Sequence, residues 1–366
     1  MAFGFRVLAA LITVWYSFSL LAIVSAKVVL NACPCAATLC ALQLGAAVLG
    51  CQLVARLTPP AKDHDRHGRG VAPLATAEFA GVCAVAASYS SGFAFTNAAI
   101  EFASPSFVET VKSSEPMSTV ALAAVFLGER ESRLTLLSLL PIVIGVAMAS
   151  GLGEGHLAAA FSAIGMALAL ASNVSFSARA VATKSLLLAH PHSALARDPD
   201  LVLFYHVSRI GLLLLLPIAG LLDVRVLINA LLGLGVDGSS SSSNSSADSN
   251  GSTGDERLTP QLLLLALAIN GASHALYNAI SFAVLNRVSV ATHAVLNIVH
   301  RVVMIAGTAL IFQTPIDPYN WLGILICVLG CLTFAHGKQS QPARTLKSGS
   351  SPCRHGQHGC GRLHEV

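Results

Sequence analysis

The chain has 366 residues, 54% of them apolar and only 11% charged, with a formal net charge of +4. So little charge cannot solvate a water-soluble domain, and the apolar residues fall in runs of about 20, the length that crosses a bilayer's hydrocarbon core. The composition excludes a soluble fold and gives an all-α polytopic membrane protein.

Ten runs follow one another, at roughly 6–26, 32–56, 73–99, 104–127, 134–152, 157–188, 201–222, 261–285, 290–312 and 319–336, divided by Pro, Gly or charge clusters. The first starts near Met1, outlasts a signal-peptide core and lacks a convincing cleavage site, so it reads as a retained span. No Arg- and Ser-rich transit segment precedes it, which favours entry through the endoplasmic reticulum. After the second run come Arg56, Lys62, Arg66 and Arg69. In the third, G-F-A-F-T-N-A-A-I (Gly92 to Ile100) offers small residues for close helix packing, and Thr96 a hydroxyl for sugar-type oxygens; taken alone, a buried hydroxyl is more often a satisfied structural group.

Lys112 lies midway along the fourth run, in F-V-E-T-V-K-S-S-E-P-M-S-T. An intramembrane cation is costly and normally faces a cavity or protein interior, which makes its ammonium a candidate anion ligand. The alternative is a helix-stabilising pair with Glu109 or Glu115, each three positions away on the same helical face. Arg130 and Arg133 follow this run, and Arg197 follows the sixth. Arg179 is deep in the sixth run, whereas Lys184 is close enough to its end to snorkel. Between the seventh and eighth runs, residues 223–260 form a Ser-rich, disordered loop with the glycosylation acceptor patterns N-S-S at Asn244 and N-G-S at Asn250.

The eighth run contributes the Tyr277 hydroxyl, and the ninth drops a His300-Arg301 pair into apolar surroundings. Arginine grips a phosphate or carboxylate with two parallel hydrogen bonds, and a neutral histidine beside cations adds a hydrogen bond without a full charge. A cavity with fixed positive charge suits an anionic cargo. The tail, 338–366, carries Lys338, Arg344 and Lys347, and its Cys353 to Cys360 lack standard zinc spacing, so no metal is expected. The loop cations all fall on one side of a ten-span topology, which places both termini in the cytosol.

Ser17 to Lys27 (S-F-S-L-L-A-I-V-S-A-K) resembles Ser175 to Lys184 (S-F-S-A-R-A-V-A-T-K), and the stretches from Ser104 to Glu129 and from Ser289 to Thr314 align in length and in small residues. Two repeats of five spans each, an odd number, must insert upside down relative to one another, as in secondary transporters with a midplane site. The expected domains are therefore a first repeat at 1–152, a second at 153–337 and the tail. No phosphate-binding loop, H-E-x-x-H or G-x-S-x-G pattern is present, so neither an enzyme nor a cofactor is expected.

Five segments in order, K-S-S-E-P (Lys112 to Pro116), L-G-E (Leu127 to Glu129), S-N-V-S-F-S-A-R (Ser172 to Arg179), Y-N (Tyr277, Asn278) and V-x-x-x-T-H-A-V-x-N (Val288 to Asn297), resemble the triose-phosphate translocator family of the drug/metabolite transporter superfamily. The resemblance implies an antiporter that exchanges a phosphorylated C3–C6 metabolite for inorganic phosphate. It implies a phosphate clamp of Lys112 and Arg301, with Arg179, Thr96 and Tyr277 on the rest of the cargo. His300 stands where the family has Lys, and Glu109 where it often has His; together they lower the local charge by about two units, which alters anion choice or adds proton sensitivity.

The expected partners are a phosphorylated small molecule, a counter-anion and the lipid bilayer, with no nucleic acid and with oligomeric state left open. Two other readings stand beside this one: a nucleotide-sugar/nucleoside monophosphate antiporter of the Golgi or endoplasmic reticulum, and a non-transporting scaffold in which Lys112 and Arg301 are dispensable. The membrane is expected to be that of the Golgi or endoplasmic reticulum, or of a plastid reached through the secretory route.

Overall fold

The computed structural model describes residues 2–57, 71–129, 131–149, 162–197, 199–232, 259–285, 287–288, 290–314 and 317–339. Among these the chain is helix and connecting turn, with no strand. In lipid every backbone polar group must be satisfied within its own segment, so apolar runs of this length become helices. The first half comprises α1 (Ala2–Ala32), α2 (Ala36–Leu57), α3 (Phe79–Phe102), α4 (Pro105–Lys112), α5 (Glu115–Phe126), α6 (Arg133–Leu137) and α7 (Leu139–Ala149). The second comprises α8 (Ala163–Ala189), α9 (Ala194–Arg197), α10 (Phe204–Leu222), α11 (Val224–Leu231), α12 (Pro260–Leu285), α13 (Val290–Ile311) and α14 (Pro318–Gln339).

Seven of these segments are long and apolar enough to cross a membrane: 6–32, 36–57, 76–102, 163–189, 201–222, 260–281 and 318–337. Two shorter apolar stretches, 133–149 and 296–311, accompany them. Every run expected from the sequence contains helix, but the fourth and fifth are interrupted. Pro116 lacks an N–H, and its ring opposes the carbonyl four residues back at Lys112, so the helix stops there and restarts as α5. Ser113 and Ser114 bridge the gap with tightened bonds, Ser113 N to Thr110 O at 3.0 Å and Ser114 N to Val111 O at 3.0 Å. Pro141 opposes Leu137 in the same way, and α6 gives way to α7 at Ser138.

Side-chain caps fix where several helices begin. Ser104 accepts from Phe107 N at 3.3 Å with Pro105 at the first helical position, and Ser162 accepts from Gly165 N at 3.0 Å. Asp223, at the end of α10, takes the N–H groups of Ala37 (2.7 Å) and Thr38 (3.1 Å) that open α2, which joins the two halves. Lys27 donates to the carbonyls of Ile100 (2.7 Å) and Ala103 (3.2 Å) at the end of α3.

The dominant packings are α3 on α8, α1 on α12, α7 on α14, α2 on α10 and α4 on α13. The outer surface is apolar: Leu221, Leu310 and Val125 are 87%, 78% and 77% exposed, as a lipid-facing surface requires. Within the expected disordered loop 223–260, residues 224–231 instead form α11, because V-R-V-L-I-N-A-L buries Leu227 against the core that α12 shares. Asn244, Asn250, Lys62, Arg66, Arg69, Arg130 and the tail from residue 340, with Cys353 and Cys360, lie outside the described residues.

Candidate functional site

A cavity of about 1190 Å³ opens between α1, α2, α3, α4, α5, α8, α12, α13 and α14. All six residues singled out in the sequence line it, Thr96, Lys112, Arg179, Tyr277, His300 and Arg301, and so does Glu109. They come from five helices, α3, α4, α8, α12 and α13, that span both halves of the chain.

At the centre is a chain of charges. Glu109, 5% exposed, sends one carboxylate oxygen to Lys112 Nζ at 3.6 Å and the other to Arg301 Nη1 at 3.6 Å. Arg301 Nη2 donates to Glu115 Oε2 at 2.5 Å. The helix break separates the two carboxylates that sequence spacing placed together on one face with Lys112. Glu109 keeps the i, i+3 relation to Lys112, while Glu115, past the turn at Ser113 and Ser114, reaches Arg301 instead. No group of three or more His, Cys, Asp or Glu side chains among the described residues is arranged to hold a metal.

Aromatic rings form the walls. Lys112 Nζ lies 5.3 Å and Arg179 Cζ 5.8 Å from the centre of the Phe176 ring, both within the range of cation–π attraction. Arg179 also lies 5.9 Å from the Tyr89 ring, and its Nε is buried without a hydrogen-bond partner. Phe176 can lie flat against α3 because Gly92 has no side chain; a Cβ there would stand 3.1 Å from the ring. His300 stacks on Trp15 with ring centres 5.2 Å apart and meets Tyr16 edge-on at 5.1 Å, while its Nε2 is buried without a partner. Tyr16 holds that corner by donating to the Leu296 carbonyl at 2.6 Å.

Two hydroxyls singled out in the sequence differ in availability. Thr96 Oγ1 is 2.9 Å from Gly92 O and 2.8 Å from Ser172 Oγ, so it serves the contact between α3 and α8 even as the residue lines the cavity. Tyr277 Oη has a long contact, 3.4 Å, to His274 Nδ1. Lys184, as its position near the end of the run implied, is outside the cavity; its half-exposed side chain pairs with Glu129.

A further set was not singled out as site residues in the sequence. Asn97 Nδ2 donates to Gln43 Oε1 (3.0 Å), Gln43 Nε2 to Asn270 Oδ1 (3.0 Å), and Asn270 Nδ2 to Ala22 O (2.8 Å), a ladder of amides across α3, α2, α12 and α1. Asn173, in the S-N-V-S-F stretch, donates from Nδ2 to Val111 O and Ser114 Oγ, each at 3.1 Å, and ties α8 to the break below Lys112. The cavity thus has aromatic walls, a paired set of charges at its centre with Arg179 as an additional cation, and neutral polar groups to one side, which suits reversible binding of a small anion with no covalent chemistry.

Comparison with known proteins agrees with that chemistry. The profile of the Triose-phosphate Transporter family matches residues 6–335. Phosphoenolpyruvate/phosphate translocator 3, chloroplastic, of Oryza sativa subsp. japonica is 33% identical over 337 residues, which cover 92% of this chain and 75% of that protein. Phosphoenolpyruvate/phosphate translocator 2, chloroplastic, of Arabidopsis thaliana is 31% identical over 334 residues, 91% of this chain and 78% of that one. Glucose-6-phosphate/phosphate translocator 1, chloroplastic, also of Arabidopsis thaliana, is 28% identical over 254 residues, 69% of this chain and 58% of that one.

Proposed function

The chain belongs to the Triose-phosphate Transporter family, a family of transporters and not of enzymes, and from that premise we propose that it exchanges a phosphorylated C3–C6 metabolite for inorganic phosphate. The observation that carries this reading is that Lys112 and Arg301 flank one buried carboxylate, that of Glu109, at 3.6 Å each. Two cations spaced around one carboxylate are spaced for a phosphate group. Arg301 supplies the fork and Lys112 the point charge. Arg179, His300 and Tyr277 then face the remainder of the cargo, with Thr96 forming wall.

The relatives named for phosphoenolpyruvate are more similar, and over more of the chain, than the one named for glucose 6-phosphate, which favours a three-carbon phosphorylated acid. Their chloroplastic names favour a plastid-bounding membrane over the Golgi or endoplasmic reticulum. Arg56, Arg133 and Arg197 at alternate helix ends support two cytosolic termini.

Movement follows from an inverted pair of five-span halves that rock about the cavity. The packing supports this arrangement. If α8, α10, α12, α13 and α14 answer to α1, α2, α3, the α4–α5 pair and the α6–α7 pair, then α3 on α8 exchanges with α12 on α1, while α2 on α10, α4 on α13 and α7 on α14 map onto themselves. Both anions use the same cations in turn, so a carrier that has delivered one can return loaded with the other.

Thermal unfolding of the purified protein in detergent tests the cargo class. Phosphate and three-carbon phosphorylated acids should raise the midpoint in the wild type and leave Arg301→Ala unmoved. Stabilisation by nucleoside monophosphates and not by phosphate would replace this reading with nucleotide-sugar exchange.

A further inference from the structure

Glu109 sits where the cargo is expected to bind. It is buried, it bridges Lys112 and Arg301, and Arg301 already has Glu115 as a partner. Burying a second carboxylate against these cations is costly unless its charge is used. Among the described residues lining the cavity, the cations are Lys112, Arg179 and Arg301 and the carboxylates are Glu109 and Glu115, which leaves one net positive charge with histidine neutral.

Inorganic phosphate, the counter-anion of the exchange, carries a charge of up to about −2 near neutral pH. Loading it turns one net positive charge into one net negative charge, so the empty and loaded cavities are equally far from neutrality. Without Glu109's charge the empty cavity would hold two net positive charges and the loaded one none. Only the loaded carrier would then cross its intermediate easily, and exchange would be strict, because uncompensated charge in a membrane interior is costly.

We infer that Glu109 is a built-in counter-anion that stands in for the cargo between Lys112 and Arg301, so that the unloaded carrier reorients and net movement of the phosphorylated anion accompanies exchange. This inference rests on the proposed function. It assigns Glu109 two opposing effects: competition with the cargo for its cations, and return of the empty carrier.

The test uses the full chain reconstituted in vesicles, wild type and Glu109→Gln, with the membrane potential clamped by potassium and valinomycin. Labelled inorganic phosphate is the probe, and uptake is followed into vesicles loaded with phosphate and into vesicles without it. In the wild type, uptake into unloaded vesicles should reach a measurable fraction of exchange. In Glu109→Gln the ratio of unloaded to loaded uptake should fall by at least about tenfold, and the KM for phosphate should fall about tenfold, the low end of what removing a like charge within about 4–6 Å does to an ionic equilibrium.

An unchanged ratio or a raised KM in Glu109→Gln would overturn the inference and leave the exchange function standing. Glu109→His, which also removes the carboxylate, must reproduce the effect; should Glu109→Gln fail to fold, the same criteria apply to Glu109→His. Failure of the wild type to move phosphate under either loading would overturn the functional reading and the inference together.

Discussion

Arg301 and Glu115 meet at 2.5 Å, Nη2 to Oε2, and so fasten the middle of α13 to the first turn of α5 just beyond the break that Pro116 imposes. The contact orients the guanidinium so that its other terminal nitrogen, Nη1, faces Glu109 and the space beside Lys112. One carboxylate thus aims the arginine, and the other occupies the place proposed for the cargo.

Replacing Arg301 with Ala should lower uptake of every anionic substrate by at least about a hundredfold, since both the fork and half of the cationic centre are lost. Arg301→Lys keeps the charge without the fork and should fall between. The Ala variant should also be less stable, though by less than the roughly 3–5 kcal/mol of a fully buried pair, because the Glu115 side chain keeps 24% of its exposure. Initial uptake rates and unfolding midpoints check both. Wild-type uptake by Arg301→Ala would refute the assignment and support a non-transporting role.

His300→Lys restores a permanent cation beside Arg301 and should lower the KM for phosphate by about tenfold. The indole of Trp15, now stacked on the imidazole, remains in place to receive an ammonium. A KM within twofold of wild type would mean that position 300 does not sense the anion.

Tyr277→Phe should leave phosphate exchange within about threefold of wild type while shifting the preference between a three-carbon phosphorylated acid and phosphate by several-fold. Its hydroxyl has a long 3.4 Å contact to His274 and lines the cavity, where it can meet the organic part of a cargo. Competition of unlabelled substrates against labelled phosphate gives the ratio, and a uniform fall for all substrates would make Tyr277 a structural residue.

Gly145 packs α7 so closely on α14 that a Cβ would collide with the backbone of Cys327 and Gly323. Gly145→Ala should destabilise by about 1–3 kcal/mol as the two helices are pried apart. Gly220, in α10, has nothing within 4 Å of such a Cβ, so Gly220→Ala should be neutral or stabilising by up to about 1 kcal/mol. Unfolding midpoints of the two variants should move in opposite directions or differ clearly in size.

The charged part of the site was legible in the sequence because Lys112, Arg179 and Arg301 stand out in apolar runs, and the cavity gathers all three. The partner of Glu115 was not legible. Sequence spacing puts it on the face of Lys112, but the turn at Ser113 and Ser114 redirects it, and how far a Pro-broken helix turns depends on what it packs against. Trp15 and Phe176 were missed because an aromatic residue in an apolar run carries no signal until a cation or imidazole stacks on it. The amides Gln43, Asn97 and Asn270 were missed for a related reason: an uncharged amide in an apolar run stands out far less than a charge, and only folding lines these three up. The helix at 224–231 was hidden by the Ser-rich tract that follows it.

Counter-exchange in proteoliposomes tests the central claim most directly: labelled phosphate and three-carbon phosphorylated acids are offered to vesicles loaded with phosphate, with nucleoside monophosphate or with neither. Internal phosphate should give the fastest uptake of both substrates, and Arg301→Ala should abolish it. Fast uptake that requires internal nucleoside monophosphate, or no uptake under any loading, would contradict phosphate exchange through this cavity.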